Sequence, residues 1–276
     1  MSKAEVTEVA EENSSMQRAK NILITGASSG IGAALAKRYA MGNTQPAHLI
    51  LLARNTQKLK AVGAACKEKG ATAEYYSIDM TELDKLQTLI TQIDSETPID
   101  LIICNAGVTS SIGKNGEAES WDAICSIIDT NLYAVLASLN PLLSYMQQRQ
   151  SGQIAIVSSL AAYRGMPITP AYCASKAAIK SYGEALRGWL CEYNIKVNVI
   201  CPGFVESDLS AQFHGDKPMM ISAEKAADII YKGLEKNKAR ISFPFPLNLG
   251  MWFLALLPAG ISDWFMRLFS YGAKRS

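Results

Sequence analysis

Short apolar runs alternate with longer amphipathic segments along this chain of 276 residues. The apolar runs are NILITG, AHLILLA, ATAEYYSI, IDLIICNAG, GQIAIVSS, IKVNVICPG and ARISF. Segments of helical spacing separate them, and residues 117–149 are predicted to form one long helix, with Pro141 as a candidate break. Such alternation is typical of βαβ units. It predicts a single α/β domain with a doubly wound, parallel sheet of about seven strands and helices on both faces.

The two ends of the chain differ from its middle. Residues 1–20 are polar and acidic and lack an apolar core, which predicts a mobile tail and argues against a secretory signal. We assign the domain to residues 21–243 and a C-terminal extension to residues 244–276. Residues 241–262 are uncharged and long enough for a membrane span, but Pro244, Pro246 and Pro258 argue against one continuous helix.

The end of the extension has the pattern of an amphipathic helix. Its apolar stripe, opposite Asp263 and Arg267, consists of Ile261, Trp264, Phe265, Leu268 and Phe269. Three interpretations remain open: a lid or wall of an apolar pocket, an interfacial membrane anchor, or an oligomer contact. The first two both imply a lipophilic substrate, such as a keto lipid, a steroid-like ketone or a long-chain aldehyde.

Charge and composition narrow the partners. The formal net charge is only +2 and no basic stripe is present, so nucleic acid is not an expected partner. The six cysteines are scattered without a CxxC pair, and the chain has only two histidines. This composition predicts free thiols in a reducing, cytoplasmic compartment and no metal site. Peripheral membrane association through the extension stays open.

A glycine-rich turn follows the first apolar run. In TGASSGIG (25–32), the glycines Gly26, Gly30 and Gly32 permit a tight strand-to-helix turn and a close approach of a pyrophosphate to a helix N-terminus. The same letters match the GxSxG nucleophile elbow of α/β-hydrolases. That mechanism needs a histidine, and only His48 and His214 are available, so we disfavour it.

Candidate recognition groups follow the later strands. Arg54 stands in LLARN, where an NAD enzyme commonly has an acidic residue, so a 2′-phosphate and NADP are favoured over NAD. Asp79 is placed either for an adenine amino group or as a helix N-cap. Asn131 lies within a predicted helix, as a solvated residue or as a polar group of a site. Tyr172 and Lys176, four residues apart in YCASK, share a helical face.

Taken together, these motifs resemble those of the short-chain dehydrogenase/reductase family. TGASSGIG, NAG (105–107), Asn131, Ser159, YCASK and PG (202–203) follow the family's order and spacing over about residues 20–240. The resemblance implies a Rossmann-type fold and a catalytic tetrad of Asn131, Ser159, Tyr172 and Lys176. Ser159 is chosen over Ser158 because the family's serine lies thirteen residues before the tyrosine. Ser207 stands where the family often has threonine.

The resemblance also implies roles for these residues. Tyr172 would donate or accept the proton, Lys176 would lower the tyrosine pKa and bind the nicotinamide ribose, and Ser159 would polarise the substrate carbonyl. Asn131 would hold a water linked to Lys176. The expected cofactor contacts are Gly26, Ser28, Ser29, Gly30, Ile31, Gly32, Arg54, Asp79, Met80, Asn105, Ala106, Gly107, Tyr172, Lys176, Pro202, Gly203 and Val205.

Electrostatics set a condition on the tyrosine. Its ordinary pKa is near 10, and lowering it by three units requires about 4 kcal/mol. A cation about 4 Å away supplies about 1 kcal/mol in water but about 4 kcal/mol at an effective dielectric near 20. We therefore expect Lys176 to lower the pKa of Tyr172 only in a partly desolvated site.

The expected activity is interconversion of a carbonyl and an alcohol with NADP(H), on a lipophilic substrate. The alternative is a cofactor-binding regulator of the same fold without turnover. The loop at 204–221 is expected to cover the substrate; it carries Phe204, Phe213, His214, Met219 and Met220, with His214 interpreted as solvated. A homodimer or homotetramer is implied, formed through the helices near 117–149 and 171–193.

Overall fold

The seven apolar runs form seven parallel strands of one sheet. The computed structural model describes residues 21–41, 47–113, 116–213 and 216–268, and the strand order is β3-β2-β1-β4-β5-β6-β7. The strands are β1 (Asn21–Thr25), β2 (His48–Ala53), β3 (Thr72–Ser77), β4 (Leu101–Cys104), β5 (Gly152–Val157), β6 (Ile195–Pro202) and β7 (Arg240–Phe243). The predicted doubly wound, parallel sheet is confirmed.

Helices cover both faces of the sheet. They are α1 (Gly30–Ala40), α2 (Thr56–Lys67), α3 (Leu83–Glu96), α4 (Trp121–Ile128), α5 (Ala134–Arg149), α6 (Pro170–Leu190), α7 (Asp208–Ala211), α8 (Ala223–Glu235), α9 (Leu247–Leu256) and α10 (Ala259–Leu268). Successive strand residues point to opposite faces, so Ile22 and Ile24 pack with α1, α2 and α8, while Leu23 packs with α3, α5 and α6. Both faces are buried, which accounts for the continuous apolar runs.

The structure at residues 117–149 differs in two ways from the single long helix that the sequence predicts. It begins at Trp121, where the Ser120 hydroxyl accepts the Ala123 N–H at 3.2 Å, and a π-helical turn (Asp129–Tyr133) separates α4 from α5. The break expected at Pro141 is wrong, because Pro141 lies inside a continuous α5. Buried Leu139 and Leu142 on either side of it hold that helix against the core.

The same helical stretch has the length and the apolar composition of a candidate membrane span. Within the described ranges, Trp121–Arg149 is the one helix long and apolar enough to cross a membrane. The apolar side chains of α5 pack in the core beneath the sheet, which explains that composition.

The segment at 204–221, predicted to be a loop, is partly helical. It contains the short helix α7, whose first turn is capped by the Ser207 hydroxyl accepting the Ser210 N–H at 3.1 Å. An isolated parallel bridge joins Val205 to Ile221 and closes the base of the segment. His214 lies outside the described residues.

The C-terminal extension packs on the carboxyl edge of the sheet. Leu247, Met251 and Leu254 of α9 join a small core with Leu160 and β6. The chain approaches this core very closely at one point. A Cβ atom added to Gly203 would lie 2.9 Å from Cδ of Pro244, so glycine is required for this contact.

An ion pair and a hydrogen bond attach α10 to the domain. Nε of Arg164 donates to the Ser262 hydroxyl at 2.7 Å, and the guanidinium pairs with Asp263. Ile261 and Trp264 of the predicted apolar stripe are exposed, while Ser262 and Met266 are buried. Phe269, the last residue of that stripe, lies outside the described residues, as does the mobile tail predicted for residues 1–20.

Candidate active site

A deep cleft lies at the carboxyl edge of the sheet, where the strand order reverses between β1 and β4. This is the position at which open parallel sheets bind ligands. It brings together most of the residues expected from the sequence. The cleft is lined by Gly26, Ser28, Ser29, Gly30, Ile31, Arg54, Asp79, Met80, Asn105, Ala106, Gly107, Ser159, Tyr172, Lys176, Pro202, Gly203 and Val205. Gly32 and Asn131 do not line it and lie behind its wall.

The floor of the cleft is a tight backbone turn after β1. Gly26 has a φ of 65°, and a Cβ atom on Gly32 would lie 2.3 Å from the Gly26 carbonyl oxygen. The turn is packed so closely against its own backbone that only glycine fits at Gly32. Helix α1 begins at Gly30, and because Ser29 makes no side-chain cap, its first N–H groups can bind a ligand.

Thr25 joins this turn to the loop after β4, a contact that the sequence analysis missed. Its hydroxyl oxygen accepts the N–H groups of Asn105 and Ala106 at 3.0 and 3.1 Å. In return, Nδ2 of Asn105 donates to the carbonyl oxygens of Thr25 and Gly26. The only signal in the sequence was a polar residue at the end of a buried apolar run.

The position of His48 excludes one of the two histidines that the hydrolase interpretation could use. Ser28 follows the carboxyl end of β1, whereas His48 is the first residue of β2 and lies toward the opposite edge of the sheet. The imidazole of His48 contacts Glu74 at 3.2 Å. It therefore cannot act as a base for Ser28.

Charged side chains surround one end of the cleft. Arg54 is exposed, and its guanidinium lies 3.8 Å from the Asp79 carboxylate. Asp79 accepts the backbone N–H and the hydroxyl of Thr81 at 3.0 and 2.8 Å, and that backbone hydrogen bond is the main cause of its lowered pKa. The N-cap interpretation of Asp79 is wrong, because α3 begins only at Leu83.

A second cation at this end was missed. Nζ of Lys58, in the first turn of α2, lies 3.0 Å from the carboxylate of Asp208 in α7. Both residues line the cleft, so this ion pair bridges its mouth. The two side chains are separated by 150 residues in the chain, and no local pattern links them.

The side chains of Ser159 and Tyr172 are neighbours in the cleft, and the serine hydroxyl acts to lower the pKa of the tyrosine. Ser159 begins a 3₁₀ turn (Leu160–Ala162), and its oxygen accepts the Ala161 N–H at 3.1 Å. The neighbouring Ser158 differs, since its buried hydroxyl donates to the backbone carbonyl of Lys176 at 2.7 Å. Of the two serines, it is therefore Ser159 that contacts the tyrosine.

The protein's own groups do not lower the pKa of Tyr172. Burial raises the pKa of Tyr172 to about 12, against the opposing effect of the Ser159 hydroxyl, and burial lowers the pKa of Lys176 to about 8. Nζ of Lys176 donates to the Val157 carbonyl at 3.0 Å and lies 5.8 Å from the centre of the Tyr172 ring. The lowering of the tyrosine pKa by Lys176, expected once cofactor and substrate exclude water, stays a prediction.

Asn131 is fully buried in the π-helical turn. Its Oδ1 accepts the Val108 N–H at 2.8 Å, and its Nδ2 donates to the Val108 carbonyl at 2.9 Å and to the Ser175 hydroxyl at 3.1 Å. A Cβ atom on Gly107 would lie 3.2 Å from Oδ1 of Asn131 and 3.4 Å from Nζ of Lys176. Asn131 thus positions the loop that separates it from the cleft, and it is not a solvated helix residue.

Glu119 caps the helix that carries Tyr172. One carboxylate oxygen accepts the Ala171 N–H in the first turn of α6 at 3.0 Å, and the other accepts the Ser110 hydroxyl. A carboxylate at a helix N-terminus is favourable because it meets the positive end of the helix dipole. Glu119 precedes Ala171 by 52 residues, so the sequence offered no sign of this contact.

Comparison with known proteins identifies the family. The family described as short chain dehydrogenase matches residues 20–218. The chain belongs to the short-chain dehydrogenase/reductase family. An uncharacterized oxidoreductase of Myxococcus xanthus is 33% identical over 245 residues, which cover 88% of this chain and 95% of that protein. The 2,3-dihydro-2,3-dihydroxybenzoate dehydrogenase of Bacillus subtilis is 34% identical over 227 residues, which cover 80% of this chain and 81% of that one.

Solved structures of the family share the fold. A short-chain dehydrogenase from Sphingobium yanoikuyae, in complex with NADPH, has a TM-score of 0.75 at 23% identity and covers 90% of this chain and 95% of its own. Membership makes this protein an oxidoreductase that acts on CH–OH groups. The expected family, fold and enzyme class are thereby confirmed.

Proposed function

We propose that this short-chain dehydrogenase/reductase interconverts a carbonyl and an alcohol with NADP(H), and that its substrate is lipophilic. The observation that carries the proposal is the placement of Ser159 beside Tyr172 at the wall of the cleft, with Lys176 buried one helical turn further on. Asn131, Ser159, Tyr172 and Lys176 act in this proposal as the reacting and positioning groups.

The cleft fits a dinucleotide. The tight glycine turn at Gly26, beside the open N-terminus of α1, suits a pyrophosphate. Arg54 and Lys58 would hold a 2′-phosphate, which favours NADP over NAD. The NADPH complex of the Sphingobium relative is consistent with this choice. When bound, the cofactor supplies or accepts the hydride.

The protein's own residues control the proton. With a pKa of about 12, Tyr172 is protonated near neutral pH and therefore acts as the acid in carbonyl reduction. The hydroxyl group of Ser159 lies beside the tyrosine in the same cleft, where it polarises the carbonyl oxygen. Lys176 adds positive charge beneath the ring, which favours any phenolate that forms.

The cleft wall indicates the substrate class. Part of it is formed by apolar side chains from the 204–221 segment and from the extension, namely Phe204, Phe213, Leu247, Met251 and Met266. Leu160 extends the same apolar surface from the turn after Ser159. Apolar walls with a few polar groups at one end bind an apolar molecule with one reactive oxygen.

The decisive test is Tyr172→Phe, assayed by NADPH oxidation with a panel of aldehydes and ketones of increasing chain length. We expect turnover to fall by about 10²- to 10⁴-fold, the usual contribution of a general acid, while NADPH binding persists. Tyr182→Phe, on the same helix but outside the cleft, is the matched control. Undiminished turnover in folded Tyr172→Phe protein would refute the catalytic assignment. NADPH binding without turnover of any carbonyl by the wild type would favour the regulatory alternative.

A further inference from the structure

Helix α9 is apolar on two opposite faces. Its inner face, Leu247, Met251 and Leu254, contacts the domain at spacings of four and three residues. The opposite face of α9 is exposed. Its residues follow the spacing i, i+3, i+4, i+7 and are Leu249, Trp252, Phe253 and Leu256. A surface helix normally carries polar residues on the face turned away from the core. The exposed apolar face of α9 is therefore expected to contact a second apolar environment.

The exposed apolar surface continues onto the neighbouring residues. We use the term outer face for the seven exposed side chains Phe245, Leu249, Trp252, Phe253, Leu256, Ile261 and Trp264, which are 44% to 74% exposed. They lie within 20 residues, whereas the other seven large exposed apolar side chains of the described residues are spread between Met41 and Met220. Such concentration marks an interaction surface rather than ordinary scattered exposure.

The charges around the outer face indicate the partner. No charged residue occurs from 244 to 262, and the only acidic residue of the extension, Asp263, is already paired with Arg164. The sequence that follows carries Arg267, Lys274 and Arg275 and no acid. An anionic partner would satisfy these cations, and tryptophan and phenylalanine are typical of helices at the membrane interface. A second copy of the chain, in a symmetric contact, would bring cations but no anions.

We propose that the outer face docks on the surface of an anionic lipid bilayer, with α9 and α10 lying in the plane of the interface. Each helix has ten residues, about 15 Å of length, which is half of the hydrocarbon core and too short to span it. The inner faces of the same helices contribute Met251 and Met266 to the cleft. In this arrangement the two helices would form a single helical layer between the cleft and the bilayer.

The first experiment measures flotation of the full-length protein with vesicles of phosphatidylcholine alone or mixed with phosphatidylglycerol. We expect binding to the mixed vesicles, weaker binding to phosphatidylcholine, and a loss of that difference at high salt. Trp252→Glu should lower binding about tenfold or more, because it removes a buried aromatic and adds an anion. Trp121→Glu, at the exposed tryptophan that begins α4, is the matched control and should bind as the wild type does.

The second experiment reports which residues touch lipid. Single-tryptophan proteins that retain only Trp252 or only Trp121 are mixed with vesicles of brominated phospholipid. Quenching of Trp252 but not of Trp121 is expected. Replacing Lys274 and Arg275 together by glutamine should reduce the preference for phosphatidylglycerol while leaving the quenching on saturating vesicles unchanged.

Three results would overturn the proposal. One is a wild type that floats with neither vesicle; another is equal binding by Trp252→Glu. The third is a dimer, seen in analytical ultracentrifugation, that Trp252→Glu dissociates while vesicles remain unbound, since the outer face would then be a contact between copies. Because none of these measurements uses turnover, they test docking separately from the proposed reaction.

Discussion

The side-chain amide of Asn131 is hydrogen-bonded at both ends to the backbone of Val108. Oδ1 accepts the N–H at 2.8 Å and Nδ2 donates to the carbonyl at 2.9 Å, an arrangement that only a side chain with one donor and one acceptor can make. It fastens the loop after β4 to the π-helical turn before α5. This loop carries Gly107, which is in close contact with Asn131 and Lys176.

Asn131→Asp should therefore destabilise the protein strongly for so small a change. The second carboxylate oxygen would face the Val108 carbonyl in a buried site, and a donated hydrogen bond would be lost. We expect the free energy of unfolding to fall by about 2–4 kcal/mol at neutral pH, measured by urea denaturation. Asn194→Asp, at an exposed position, is the control for the same chemical change. Equal stability of the two variants would contradict the role given to Asn131.

The two adjacent serines should separate activity from stability. Ser159→Ala removes the hydroxyl group that lies beside Tyr172 and would polarise the carbonyl, so turnover should fall by about 10²-fold with little change in stability. Ser158→Ala leaves the Lys176 carbonyl without that partner in a buried site, so the free energy of unfolding should fall by about 1–3 kcal/mol. Steady-state kinetics and urea denaturation of both variants check this. A larger loss of turnover in Ser158→Ala would reverse the assignment.

Lys176 should make stability depend on alkaline pH. Its pKa is about 8 in the folded protein against 10.5 ordinarily, so between these values the unfolded chain binds the extra proton. The contribution of Lys176 to the free energy of unfolding therefore rises with pH across this window, by on the order of 3 kcal/mol in all. Below pH 8 both states are protonated and the contribution is constant.

Comparison with Lys176→Met isolates this contribution, since every other group titrates alike in both proteins. Urea denaturation is measured near pH 7.5 and again near pH 10.5. The difference in free energy of unfolding between wild type and Lys176→Met should shift in favour of the wild type at the higher pH. A difference that stays constant would mean that the folded-state pKa of Lys176 is not lowered.

Arg54 should discriminate between the two nicotinamide cofactors. Arg54→Ala removes a guanidinium at the end of the cleft that suits a 2′-phosphate. Because this side chain is exposed, we expect a moderate effect: an increase of about tenfold in the Kd for NADPH and little change for NADH. Fluorescence titration with both cofactors measures it. Lys60→Ala, an exposed cation on α2 that does not line the cleft, controls for net charge, and an equal effect there would count against the assignment.

The strands were predicted well because a strand that is buried on both faces has a continuous run of apolar residues in the sequence. The runs ending at Thr25, Ala53 and Cys104 are apolar in their interiors, and parallel order follows from the helices between them. Most of the residues that line the cleft were predictable for the same reason, since they follow the ends of strands, whereas Tyr172 and Lys176 on α6 were predicted from the YCASK motif. The helix break predicted at Pro141 was wrong because a helix that is held by tertiary packing tolerates a missing backbone hydrogen bond.

Contacts between distant segments could not be predicted. Glu119 reaches Ala171, and Lys58 reaches Asp208, only because the fold brings distant segments together. The pKa of Tyr172 could not be predicted either, since it depends on how deeply the ring is buried and on the direction of the Lys176 ammonium group. Neither quantity has a local pattern in the chain. The cytoplasmic location and the oligomeric state stay predictions.

Gly203 lies where the cleft meets the C-terminal extension. It lines the cleft, and its missing side chain makes room for Pro244 at the start of the extension. Leu160 and Leu247 would each lie 3.4 Å from a Cβ atom at this position. An engineer who grafts the extension onto another scaffold must therefore transfer this glycine with it. Conversely, directed evolution of the cleft has no freedom at Gly203 unless the extension is redesigned at the same time.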